Sequence, residues 1–103
     1  MEQTEGNRHD HTLGPVLQQE LLTRLRRIEG QVRGVHRMVE EDRSCREILT
    51  QIASVHEAMR GVGRVLVRKH MAERIGDAQR TGDPAELDRA YQELLDLMYK
   101  HVR

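Results

Sequence analysis

Residues 44–74 read SCREILTQIASVHEAMRGVGRVLVRKHMAER, and this stretch decides the fold. Ile48, Ile52, Val55, Met59, Val62 and Leu66 recur every three or four places, which is the apolar stripe of a long helix. Cys45 and His70 stand at its two ends, 25 positions apart. At about 100° per residue, those steps close seven turns to within about 20°, so thiol and imidazole share a face while lying roughly 37 Å apart. One helix cannot bring them together. Two copies packed antiparallel along the stripe can, because a two-fold axis near residues 57 and 58 sets Cys45 of one copy beside the partner's His70. The spacing points to a dimer with two identical sites, each offering a sulfur and a ring nitrogen.

Size and composition agree with association. A chain of 103 residues makes one small domain with a limited core of its own. There is no Trp or Phe, and Tyr91 and Tyr99 are the only aromatics, so a core must be built from Leu, Ile, Val and Met while 33% of the residues are charged. Formal charge is zero, so affinity for a polyanion must come from local clusters. Arg24, Arg26, Arg27, Arg33 and Arg37 crowd one segment, and Arg60, Arg64, Arg68, Lys69 and Arg74 another. Interleaved with Glu, such clusters are either solvated faces laced with ion pairs or contacts for phosphates. A single cysteine excludes an internal disulfide framework. No apolar run reaches the length of a membrane span or a signal peptide's core, so a cytoplasmic protein is expected. The lone thiol is then a buried filler, a ligand or a reactive group.

Outward from the long helix, residues 1–14 are polar and aperiodic and read as a mobile arm, whose His9 and His11 are metal donors or merely solvated. Residues 15–103 read as a single helical domain. Pro15 suits a helix start, and Leu21, Leu25, Ile28, Val32, Val35 and Val39 carry a stripe to about Glu41. Gly30 and Gly34 in that helix suggest a close crossing. Ser44 followed by Glu47 matches a capping box, which makes Cys45 the first residue of the second helix, where the positive end of the dipole favours a thiolate. That helix is expected to run to about Ile75, with Gly76 and Asp77 ending or bending it before a loop at 81–83. Asp83, Pro84 and Glu86 then take the cap, first and third positions of a last helix whose expected buried face is Leu87, Tyr91, Leu94 and Met98. His36 and His56 read as packing or surface residues. No phosphate loop, nucleophile elbow, C-x-x-C or H-E-x-x-H occurs, so no enzyme is expected.

RLRRIEGQVRG (Arg24 to Gly34), the M-V-E-x-D-R-x-C run (Met38 to Cys45), ILTQIASV (Ile48 to Val55) and the downstream His70 together resemble the copper-sensitive operon repressor family, which also holds nickel or cobalt sensors and a formaldehyde sensor. The resemblance covers roughly residues 20–100. It implies an all-α protein: a three-helix protomer with a long antiparallel helical hairpin, pairing into a four-helix bundle and then a disc-shaped tetramer. It also implies a transcriptional repressor that holds operator DNA through basic helical faces and releases it when an inducer binds.

Carried over by position, the resemblance assigns DNA contacts to Arg24, Arg27, Arg60 and Arg64, with Gly61 standing where some members have arginine. Such cations neutralise phosphates rather than read bases. It assigns the metal site to Cys45 and His70, with copper(I) as effector and no cofactor needed for folding. Glu93 aligns with a family glutamate that bonds the ligating imidazole, and Ser44 replaces a tyrosine usual in copper sensors. The family's copper sensors carry a second cysteine four residues after the histidine, and here that position is Arg74. Arginine has no lone pair for a metal. A guanidinium beside the thiol leaves two outcomes open: copper(I) held by Cys45 and the partner's His70, with His9, His11 or water as a third donor, or a thiolate reactive toward formaldehyde, a persulfide or an oxidant.

Overall fold

The structure, a computed structural model, describes residues 12–102. His9, His11 and most of the expected N-terminal arm lie outside the described residues, as does Arg103. Three helices account for nearly all of what is described: α1 Pro15–Glu40, α2 Cys45–Thr81 and α3 Pro84–His101. No strand occurs among the described residues, which are all-α.

The helix ends follow from local chemistry. Pro15 opens α1, where its missing N–H deprives the helix of nothing. At the other end, Arg43 N–H donates to the Met38 carbonyl and Asp42 N–H to that of Val39, a Schellman closure in which Asp42 takes the left-handed conformation, φ 56°. The capping box at α2 is formed: Glu47 N–H donates to Ser44 Oγ at 3.2 Å, and Ser44 N–H to Glu47 Oε1 at 3.3 Å. Asp83 caps α3, accepting from Ala85 N–H at 3.0 Å, with Pro84 first in the helix.

Two expectations are corrected. Gly76 and Asp77 do not end α2, which continues to Thr81 for 37 residues in all. A glycine inside a helix costs about 1 kcal/mol. Burial of Met71 and Ala78 on either side of Gly76 offsets that, and the stop falls at Gly82, whose φ of 72° suits a residue with no Cβ. The buried face of α3 is only partly the expected one, since Leu94 packs against the core. Ala90 is fully buried, whereas Leu87, Tyr91 and Met98 stay 42%, 58% and 44% exposed.

The helices fall into two compact units, residues 15–62 and residues 63 onward. The first holds α1 and the start of α2, with Leu21, Ile28 and Val62 as its buried residues. In the second, the rest of α2 meets α3 around Met71, Ala78 and Ala90, joined by Val67, Ile75, Leu94 and Leu97. Contacts here run in opposite chain order: Gly63 at His101, His70 at Glu93, Arg74 at Glu93 and Glu86. A Cβ on Gly63 would lie 2.9 Å from the carbonyl oxygen of His101, so glycine is required where α3 ends against α2.

Candidate effector site

The unit of residues 63 onward holds a polar cluster built from one face of α2 and one of α3. On α2, His70 and Arg74 lie a helical turn apart and so share a face. On α3, the line Glu86, Ala90, Glu93 and Leu97, spaced four, three and four, faces them. Glu93 carries the geometry. Its Oε2 lies 2.7 Å from His70 Nε2, and its Oε1 accepts from Arg74 Nε at 3.0 Å. Arg74 Nη1 reaches on to Glu86 Oε1 at 3.4 Å, and Glu86 in turn accepts from Arg89.

The charges follow from these contacts. Bonding to His70, and then to Arg74, holds the Glu93 carboxyl below its ordinary range against the opposing effect of burial. Glu93 is therefore ionised near neutral pH, and a carboxylate only accepts. The shared proton belongs to His70 Nε2, which leaves Nδ1 as the nitrogen not engaged by Glu93. Within the protomer, the Arg74 guanidinium sits between two carboxylates.

Cys45 belongs to the other unit, where it begins α2 with a free and exposed thiol. It borders a shallow depression with Arg46, Leu49, Thr50 and Ala53. The cap beside it is braced by Arg43, whose Nε and Nη2 donate to Glu47 at 3.2 and 3.3 Å. Those bonds, followed by the Ser44 N–H, hold the Glu47 carboxyl below its ordinary value. Among the described residues no three His, Cys, Asp or Glu side chains gather into a metal-binding group.

The candidate DNA contacts lie on helix surfaces. Arg24 pairs with Glu20 at 3.3 Å and Arg60 with Glu57 at 3.0 Å, each within its own helix. Arg27 and Arg64 are exposed. Of the packing and surface readings of His36 and His56, the protomer gives the surface one: His36 lies exposed 3.7 Å from Glu40, and His56 is exposed. No helix among the described residues is long and apolar enough to cross a membrane.

Reading the sequence singled out His70, Arg74 and Glu93, and these meet. Glu86 and Arg89 were not assigned to the cluster, Glu86 being read only as a capping-turn residue. A usable signal existed: Glu86 and Glu93 are seven apart on one helix, hence on one face, opposite a helix that carries Arg74 and His70.

Residues 17–100 match the family described as metal-sensitive transcriptional repressor. The copper-sensing transcriptional repressor CsoR of Bacillus subtilis (strain 168) is 43% identical over 84 residues, which cover 82% of this chain and 80% of that protein. The copper-sensing transcriptional repressor RicR of Mycobacterium tuberculosis (strain ATCC 25618 / H37Rv) is 48% identical over 61 residues, 59% of this chain and 64% of that protein. No solved structure matches the chain significantly.

Proposed function

The chain belongs to the metal-sensitive transcriptional repressor family, whose members are not enzymes, and from that premise we propose that it holds operator DNA in the cytoplasm and releases it when copper(I) binds between Cys45 of one protomer and the partner's His70. The observation that carries this reading is the 2.7 Å contact between His70 Nε2 and Glu93, which leaves a histidine oriented by a carboxylate, as ligating imidazoles are. The two copper-sensing relatives support the choice of metal.

The donor set fits a soft ion. One thiolate and one imidazole suit copper(I) better than hard cations such as magnesium or calcium, which take oxygen. Arg74 supplies no third donor, so this chain's own ligands number two per site, with His9, His11 or solvent as candidates for a third. Two protomers are needed because one helix carries both donors 25 residues apart.

Association has independent support. Among the described residues six hydrophobic side chains are buried, while Leu49, Tyr91, Leu95 and Tyr99 are all more than half exposed. Such surface on a small helical chain calls for a partner. In the proposed assembly, α1 and α2 form a long antiparallel hairpin, two hairpins make a four-helix bundle, and two dimers make a disc-shaped tetramer. Arg24, Arg27, Arg60 and Arg64 then meet phosphates. Exposed ion pairs such as Arg24 with Glu20 are worth about 1 kcal/mol or less, so exchanging Glu for phosphate costs little. Release is a coupling free energy: copper bridging two protomers favours an assembly whose basic faces no longer fit the duplex.

The test is a gel-shift titration on DNA from the chain's own promoter. A shift that copper(I) reverses, and that persists with copper in Cys45→Ala or His70→Ala, is the expected result. No shift under any condition, or one indifferent to copper, sinks the reading. The exposed thiol at a capped helix start favours a second reading, in which Cys45 captures formaldehyde or a reactive sulfur species. Mass spectrometry would then find an adduct on Cys45 that releases DNA without metal.

A further inference from the structure

Arg74 is the member of the polar cluster that metal binding leaves without a role, yet it is the most firmly held. Its side chain is 23% exposed and spans two carboxylates, Glu93 through Nε and Glu86 through Nη1. Those anchors lie seven residues apart on α3, so the guanidinium is fixed at both ends. The terminal torsion of a glutamate is broad and roughly two-fold, and one bond to His70 would leave it loose. The bond from Arg74 to Oε1 removes that freedom and aims Oε2 at His70 Nε2. Arginine also keeps its charge at every accessible pH, so Glu93 has a permanent counter-ion whether or not the imidazole is charged.

We propose that Arg74 is a positioning residue: by holding Glu93 from the far side it fixes His70 in the tautomer protonated on Nε2 and sets the orientation of the ring toward the effector. This rests on the reading of His70 as a ligand. Position 74 is thus part of the site without being a donor. A lysine there could not replace it, because one ammonium on a narrower head does not span both carboxylates in the fork geometry.

The test is nitrogen-15 NMR of the His70 ring in the full-length, metal-free protein at a pH where the ring is neutral, paired with copper(I) affinity by chelator competition. The wild-type ring is expected to carry its proton almost wholly on Nε2. In Arg74→Gln the Nδ1-protonated form should rise several-fold, and copper(I) should bind at least tenfold more weakly. Glu93→Gln should shift the ring the same way, because an amide can donate to Nε2. The double variant should bind no more weakly than Glu93→Gln alone, as expected if Arg74 acts through Glu93. Should Arg74→Gln fail to fold, Arg74→Met keeps the aliphatic stem and carries the same measurement. A wild-type tautomer ratio in either folded variant overturns the positioning role, even where Cys45→Ala and His70→Ala abolish copper binding. If instead Cys45→Ala binds copper as tightly as wild type, the effector reading fails, and the tautomer ratio of the metal-free protein still decides the role of Arg74.

Discussion

Glu93 divides its two oxygens between His70 and Arg74, and the consequences can be measured at the level of that one side chain. Its carboxyl is held below the ordinary value of 4.5, chiefly by His70 and then by Arg74. The stability it contributes is therefore complete above that ordinary value and is lost as pH falls through the lower, folded-state one. Glu93→Gln should destabilise the fold at pH 7 by no more than about 1 kcal/mol for a side chain about a third exposed, read as a lower urea midpoint. The difference from wild type should shrink as the pH falls below the ordinary carboxyl value and through the lower, folded-state one, where the wild-type carboxyl also becomes neutral. Equal midpoints at pH 7 would mean that the clasp adds nothing to folding. Asp42 illustrates a different cost at this scale. It holds a left-handed conformation that glycine usually takes, and it does so because the Schellman bonds from Asp42 and Arg43 close α1 there.

Between elements, α2 and α3 share an apolar core around Met71, and small residues and charge set how closely they approach. Ala90 is fully buried because it lets the helices approach, and Glu86 and Glu93 flank it on the same line. That line sits one residue behind the expected Leu87, Tyr91, Leu94 and Met98 stripe, of which Leu94 alone packs against the core, so the buried face is shifted toward Ala90 and Leu97. Gly63 is the other point of close approach. Gly63→Ala gains up to about 1 kcal/mol in helix propensity. It also drives a Cβ to within 2.9 Å of the His101 carbonyl, which belongs to backbone and cannot swing aside. The clash should win, with a net loss of about 1–3 kcal/mol on chemical denaturation and fraying of the last turn of α3 by hydrogen exchange. A stabilised variant would show that α3 does not end against α2 in solution.

For the whole molecule, charge decides how DNA is held. The chain is neutral overall, so attraction for a polyanion has to come from local clusters, and the proposed ones are the arginines of α1 and α2. Log affinity for operator DNA should fall linearly with log salt, and Arg27→Ala should reduce the slope by about 0.9 for each phosphate that the variant no longer neutralises. The weakening should be similar on operator and on unrelated duplex, since phosphate contacts carry no sequence information. A variant that weakens only the operator complex would assign Arg27 to base reading instead. The same exposed apolar surface that calls for association also predicts that no monomer dominates at micromolar concentration by sedimentation.

The amino-acid sequence by itself determined the helical class, the capped start of α2 at Cys45, the Asp83 and Pro84 start of α3, and the identity of His70, Arg74 and Glu93 as residues of interest. The helix starts and the helical class rest on interactions within a few residues of chain, and His70 on its spacing from Cys45, which a linear reading contains; Glu93 and Arg74 were singled out through the resemblance to the repressor family. The tertiary structure alone decided how far α2 runs, which face of α3 is buried, and where the Arg74 guanidinium goes. Each of these depends on what another helix brings opposite: burial of Met71 and Ala78 carries α2 through Gly76, and Glu86 with Glu93 draws Arg74 toward α3. Hydrophobicity along one helix ranks Tyr91 above Ala90, but distance between two helices reverses the order, and that distance is set by residues far apart in sequence.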